Sequence, residues 1–288
     1  NPNIVMISMP GWGVEGPYRG YVTLGSGLDA GVGHVSVRGY PQHDTGFVPA
    51  IFHSDATGAL TVIFAALAGL RQREKSGKGC FIDMSQIEAM GWQFPGIFAE
   101  WTMNERRPQR LGNSDPHIVP HGCYRAAGDE QWVAIAAEDD AQWAALAGVI
   151  GKPEWAAGDD PRASVVGRLR AREEIDAAIG EYASQRTPAE AADAIQEAGA
   201  IAAPVTRAPE TLASPQLNAR EWFNTVEHRY AGTNIMGGFL WQIAEDPATW
   251  DRVCATVGEH NVEVLSALGF SADEIATMQR DGAIGDSY

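Results

Sequence analysis

The run from His53 to Gly79 constrains this fold more than any other stretch. Leu60, Ile63, Phe64, Leu67 and Leu70 recur at i, i+3, i+4, i+7 spacing, the helical period. Arg71, Gln72, Arg73, Glu74 and Lys75 gather at the far end, and Ser76 to Gly79 supplies a glycine stop. The pattern predicts a mostly buried helix with an acidic start and a basic finish, both favourable for the helix dipole. Asp55 stands at its head. It reads either as an N-cap, its carboxylate accepting a first-turn N–H, or as a carboxylate nucleophile at the mouth of a pocket. The helical pattern is compatible with both.

The chain before this helix reads as the start of an α/β protein. Ile4–Met9 is a short apolar, β-branched run, as buried strands are. It runs into a loop rich in glycine and proline, Pro10–Gly20. Such loops after buried strands are where α/β proteins place ligands. This one lacks both G-x-G-x-x-G and the P-loop Lys-Ser/Thr ending, so it is no dinucleotide or ATP cradle. Tyr21–Gly33 suggests a short, tightly packed helix. His34–Ala50 reads as a loop, and its His34, His43 and Asp44 match no familiar metal spacing.

Past the helix, Cys80–Met84 is a strand interrupted by Asp83. Ser85–Trp101 is a helical, aromatic-rich stripe divided by Pro95 and read as core or subunit interface, to be buried in the assembled protein, rather than as a cofactor box. Asn104–Gly122 has the composition of a linker. A hairpin follows (Cys123–Arg125 and Gln131–Ala137), then helices over 139–150, 170–184 and 188–198 and a segment 201–205. Thr187-Pro188-Ala189-Glu190 is a capping box with Pro at the first helical position. Short helices near 209–212 and 214–221 precede strands at 223–228 and 239–243. Gly258–Asn261 opens a helix over Val262–Leu268, with Glu259 and His260 read as first-turn residues, and Ser271–Arg280 is another.

Composition excludes several classes. With 21 basic and 37 acidic residues, a net charge of -16 disfavours nucleic acid and anionic membrane as partners. Three scattered cysteines, Cys80, Cys123 and Cys254, form neither zinc spacing nor disulfide framework, so a reducing cytoplasm is expected. No signal peptide and no membrane-spanning run is read from the sequence.

Taken in order, several pieces resemble the class III CoA-transferases, which include formyl-CoA, carnitine and bile-acid CoA-transferases and the α-methylacyl-CoA racemases. They are N-P-N-I-V-M-I-S-M-P-G-W-G-V-E-G-P-Y from Asn1, D-A-T-G-A-L from Asp55, R-L-G-N-S-D-P from Arg110, A-G-A-I-A-A-P-V from Ala198, S-P-Q-L-N-A-R from Ser214 and G-E-H-N from Gly258. Each piece is common; their order and spacing are specific.

The resemblance implies a large Rossmann-like domain (1–115, resumed at 206–288) interrupted by a small α/β domain (116–205), in an interlocked homodimer or paired with a homologous subunit. It also implies that the family's first segment precedes Asn1. Asp55 falls on the family's nucleophile, and Arg19, Gly20 and Tyr21 on a coenzyme A contact. The expected activity moves CoA between an acyl-CoA and a carboxylic acid through an aspartyl anhydride and an enzyme thioester. The substrates are then acyl-CoA and acid, with no tightly bound cofactor and no metal, and the anhydride calls for a closed, dry site. Gly20-Tyr21-Val22 departs from the family's common Gly-Tyr-Asp. Racemases carry His where this chain has Tyr21, which argues against racemisation. The alternatives are an α-methylacyl-CoA racemase, with Asp55 as a proton-transfer base, or a non-catalytic subunit.

Overall fold

The structure is a computed structural model and describes residues 1–44, 46, 53–245 and 252–285. The chain divides into two compact units, Asn1–Val205 and Thr206–Tyr288. The first unit starts with strand β1 (Val5–Ser8), followed by helices α1 (Gly25–Gly31), α2 (His34–Val37) and α3 (His53–Ser76) and strand β2 (Cys80–Asp83). β1 and β2 pair in parallel, with Val5 opposite Cys80 and Ser8 opposite Asp83. The segment 34–37 is therefore a helical turn rather than loop; Thr45 and residues 47–52 of that expected loop lie outside the described residues.

α3 lies on the β1–β2 ribbon through its glycines. A Cβ on Gly69 would stand 2.9 Å from Val5 Cγ1, 3.1 Å from Ile82 Cδ1 and 3.3 Å from Cys80 Sγ. One on Gly58 would meet Gln86 and, at 3.5 Å, Met9 Sδ. Glycine here trades helix propensity for close backbone approach. Gly69→Val is expected to lower stability by about 1–3 kcal/mol, as overpacking does, measured by urea denaturation. Gly77, at φ 65°, ends the helix, its N–H reaching Arg73 O at 2.9 Å.

The expected burial of α3 is corrected. Only Ser54, Gly58 and Gly69 are buried on it, while Leu60, Ile63, Leu67 and Phe64, the last 75% accessible, are exposed. Helical period identifies an apolar face but not what covers it, and a two-stranded ribbon is too narrow to cover this one. The sequence reading of spanning segments is corrected too: at 24 residues, α3 is long and apolar enough to cross a membrane by length and composition alone. Core helices of soluble proteins also meet that criterion. Pro95 divides the aromatic stripe as expected, into α4 (Gln86–Gly91) and α5 (Pro95–Asn104). The stripe is not buried in the single chain: Trp92 is 82% accessible, and Phe98 and Trp101 are exposed.

The main core lies further on. Strands β3 (His121–Arg125), β4 (Trp132–Ala136) and β5 (Ile201–Val205) form an antiparallel sheet in the order β3-β4-β5. Helices α6 (Asp140–Val149), α7 (Val165–Arg170), α8 (Arg172–Ser184) and α9 (Pro188–Glu197) accompany it. Val133 and Ile135 alternate inward on β4 and meet Trp143, Leu146, Ile175, Ile179 and Ile195, all fully buried. The Thr187–Glu190 capping box forms as expected, and Asp139 caps α6.

The second unit contains α10 (Ala208–Leu212), α11 (Pro215–Ala219), the hairpin β6 (Phe223–His228) and β7 (Gly232–Gly237), α12 (Asn261–Ala267) and α13 (Ala272–Arg280). The second hairpin strand thus lies earlier than the expected 239–243. His228 Nδ1 accepts from Tyr230 N and Ala231 N at 3.2 and 3.0 Å, closing the turn immediately and starting β7 at Gly232. Glu259 and His260 stand just before α12 rather than in it. Arg220, Trp222, Phe239 and Trp241 line a cavity of about 520 Å³ in this unit.

Candidate active site

The glycine-rich loop is held by β2 and α4. Asp83 ends β2 and accepts the Val14 N–H with both carboxylate oxygens, at 3.1 and 3.2 Å, which accounts for a charged residue at the end of an apolar strand. Ser85 Oγ donates to Gly11 O at 3.3 Å, and the N–H groups of Gln86 and Ile87 donate to Pro10 O and Gly11 O at 3.2 and 3.1 Å. A side chain on Gly11 would overlap Thr23 Oγ1 and Leu28, and one on Gly31 would touch the Trp12 ring at 3.0 Å. The loop is therefore packed directly on α1.

α1 also holds the start of α3. Asp29 is fully buried. Its Oδ1 accepts from Ser54 N at 3.1 Å and its Oδ2 from His53 N at 3.4 Å. Arg38 Nη1 lies 3.5 Å from Asp29 Oδ2 and 3.4 Å from His53 Nδ1. His34 Nδ1 lies 3.6 Å from the same carboxylate, and its ring stacks on Phe94 at 5.5 Å. Burial pushes the Asp29 carboxyl up, but the hydrogen bonds from Ser54 and His53 outweigh it and hold it below its ordinary range. Burial and the Arg38 charge push the His34 imidazole down, against the pull of Asp29.

Asp29, His34 and His53 offer three ligand atoms within 4.8 Å of one another, a grouping that sequence spacing did not reveal. The Arg38 guanidinium already neutralises this carboxylate and faces two of the three atoms. A divalent cation there would meet that fixed positive charge, so the cluster is read as an internal ion pair rather than a metal centre. A pH effect follows. With its folded pKa below the ordinary 6.5, His34 favours folding when neutral. Its contribution is complete above the unfolded pKa and is lost as pH falls through the folded one. The facing charged and titratable groups are Asp29, Arg38 and His53, and the Asp29 shift acts in the same direction at lower pH. Thermal melts are expected to show stability declining from pH 7 toward pH 5, with a shallower slope for His34→Gln.

Asp55 sits inside the first turn of α3, exposed. The N-cap reading is corrected: the helix already includes His53, and Asp29 serves the amides of His53 and Ser54. A carboxylate in the first turn of a long helix interacts favourably with the helix dipole. The closed, dry pocket expected around Asp55 is not formed by the described residues of this chain. Arg19, Gly20 and Tyr21 lie exposed at the far end of the loop, in the turn marked by Tyr21 N donating to Tyr18 O at 2.9 Å. Tyr21 meets Tyr18 and Trp12 ring to ring at 4.6 and 6.0 Å. Among the described residues Arg19 has no ion pair and Asp55 no hydrogen bond to these three. α1 links them instead, touching Trp12 on one side and the start of α3 on the other.

Residues 1–261 match the model of CoA-transferase family III. The chain belongs to this family. Among its relatives, the succinyl-CoA–D-citramalate CoA-transferase of Chloroflexus aurantiacus is 28% identical over 281 residues, 97% of this chain and 69% of the relative. The succinyl-CoA–L-malate CoA-transferase beta subunit of the same organism is 26% identical over 285 residues, 95% of this chain and 68% of that protein. In fold, a CaiB/BaiF family protein from Brucella suis superposes with a TM-score of 0.79 at 22% identity, over 93% of this chain and 68% of that one. The mixed α/β architecture is thus that of the CoA-transferase family. Within it, Asp29 and Asp83 are the site residues that sequence reasoning missed. The signal for Asp29 was present: it is the one carboxylate in the small, apolar stretch from Gly20 to Val37.

Proposed function

We propose that this family III chain is an acyl-CoA:carboxylate CoA-transferase with Asp55 as its nucleophile. The observation that carries the reading is the family match across Asp55, with that carboxylate exposed in the first turn of α3. An Asp55 oxygen attacks the thioester carbonyl; the C–S bond breaks, leaving a mixed anhydride and CoA thiolate. The thiolate attacks the Asp55 carbonyl of the anhydride, freeing the first acid and leaving an enzyme thioester. The incoming carboxylate displaces the thiolate to form a second anhydride. Thiolate attack on its acyl carbon then yields the new acyl-CoA and restores Asp55. First-turn N–H groups of α3 other than the two that Asp29 holds, and those of the loop Gly11–Gly16 other than Val14, are suited to hold the developing oxyanions. Arg19 is suited to a CoA phosphate through bidentate hydrogen bonds, with Gly20 and Tyr21 beside it.

The relatives named for succinyl-CoA, citramalate and malate point to dicarboxylic substrates. The exposed apolar faces of α3 and α5 support pairing with a second copy or a homologous subunit, as interlocked protomers would provide. The domain plan implied by the resemblance belongs to the same proposal. Covering those faces would also supply the dry surroundings an anhydride needs.

The test uses the complete protein with succinyl-CoA and a panel of dicarboxylates. A new CoA thioester is expected, with no deuterium entering the α-carbon of a 2-methylacyl-CoA in heavy water. Deuterium uptake without thioester exchange would establish the racemase alternative. Absence of both reactions, with activity appearing only on adding a homologous subunit, would favour the non-catalytic role.

A further inference from the structure

We propose that Asp29 is the positioning residue for Asp55. The inference rests on the reading of Asp55 as nucleophile and goes beyond it, by assigning what fixes that carboxylate. Asp29 is fully inaccessible, so it touches no substrate; whatever it does for the reaction passes through its neighbours. Its two oxygens take the N–H groups of His53 and Ser54, the two residues immediately before Asp55. Ser54, itself fully buried, returns a bond from its Oγ to Gly25 O at 3.2 Å. The α3 start is thus stitched to α1 at three points, and the next residue is the outward-facing Asp55.

The far side of α1 carries the loop, through Leu28 against Gly11 and Gly31 against Trp12. One short helix therefore sets the spacing between the loop amides and the nucleophile. The cost of a buried carboxylate is met by Arg38, with His34 and His53 closing the cluster. A carboxylate accepting two consecutive amides fixes the direction in which the next side chain leaves the helix.

The test compares the complete wild-type protein with Asp29→Asn, which keeps volume and one acceptor oxygen but turns an N–H₂ toward N–H donors. Rapid-quench mixing with succinyl-CoA measures the rate constant and the amplitude of adduct formation on Asp55. The rate constant is expected to fall on the order of 10²-fold, as for a small misplacement of a reacting group, with KM for succinyl-CoA little changed. Loss of stability alone would lower the amplitude and leave the rate constant. Amide exchange at His53 and Ser54 should speed up about 10-fold or more, as expected for losing hydrogen bonds to a charged acceptor. If Asp29→Asn misfolds, Asp29→Asn with Arg38→Gln removes both charges, leaves no unpaired buried cation, and is read in the same way. An unchanged adduct rate constant, or unchanged amide exchange, overturns the role of Asp29 while leaving Asp55 as nucleophile. A wild type that forms no Asp55 adduct overturns the nucleophile and this proposal together.

Discussion

An Asp55→Asn protein is expected to lose CoA transfer by on the order of 10⁴-fold or more, as enzymes do when their nucleophile is removed. The amide nitrogen has no free lone pair suited to attack a thioester, so the first anhydride never forms. The fold should scarcely register the change. Asp55 is exposed and is not the cap of α3, because Asp29 serves the amides of His53 and Ser54. The substitution removes one first-turn charge from a helix dipole, worth about 0.3–1 kcal/mol at an exposed position. Transfer assays and urea denaturation on the same preparation separate the two effects. Binding of CoA, through contacts that do not involve this carboxylate, should persist.

The largest effect on stability is expected at Trp143. Its ring is fully buried, stacks near Trp155 at 6.5 Å, and donates from Nε1 to Trp155 O at 3.3 Å. The buried Arg168 guanidinium lies over it at 5.7 Å, held by Asp140 at 2.9 Å and by Ala163 O at 3.0 Å. Trp143→Ala leaves a cavity, breaks a buried hydrogen bond and strips one face of a buried cation. A loss of about 3–5 kcal/mol is expected, read as a lower denaturation midpoint. Trp143→Phe should cost less, because it keeps most of the volume and the ring face over which Arg168 sits.

Elements with local causes were legible in the chain. β1, β2, the division at Pro95 and the Thr187 capping box each follow from a few neighbouring residues. Surroundings were not legible. The period of Leu60, Ile63, Phe64 and Leu67 describes an apolar face equally well whether a sheet, a second chain or nothing covers it. In the single chain, the ribbon approaches α3 closely at Gly69 and leaves those four residues exposed. The last hairpin was misplaced because the turn is closed by the ring nitrogen of His228 rather than by a standard turn dipeptide. At the site, Asp55 and Arg19–Tyr21 came from family resemblance, and the cap alternative failed because the cap arrives from another helix. Asp29 was missed for the same reason: a pairing across 24 and 25 residues leaves no periodic trace.

The central claim is that Asp55 becomes acylated during turnover. The most direct measurement adds succinyl-CoA to the complete protein, traps with hydroxylamine, and maps the modified peptide by mass spectrometry. A hydroxamate is expected on Asp55, formed only when acyl-CoA is present and absent from Asp55→Asn. Full CoA transfer by a protein whose Asp55 stays unmodified, or by a well-folded Asp55→Asn protein, would contradict it.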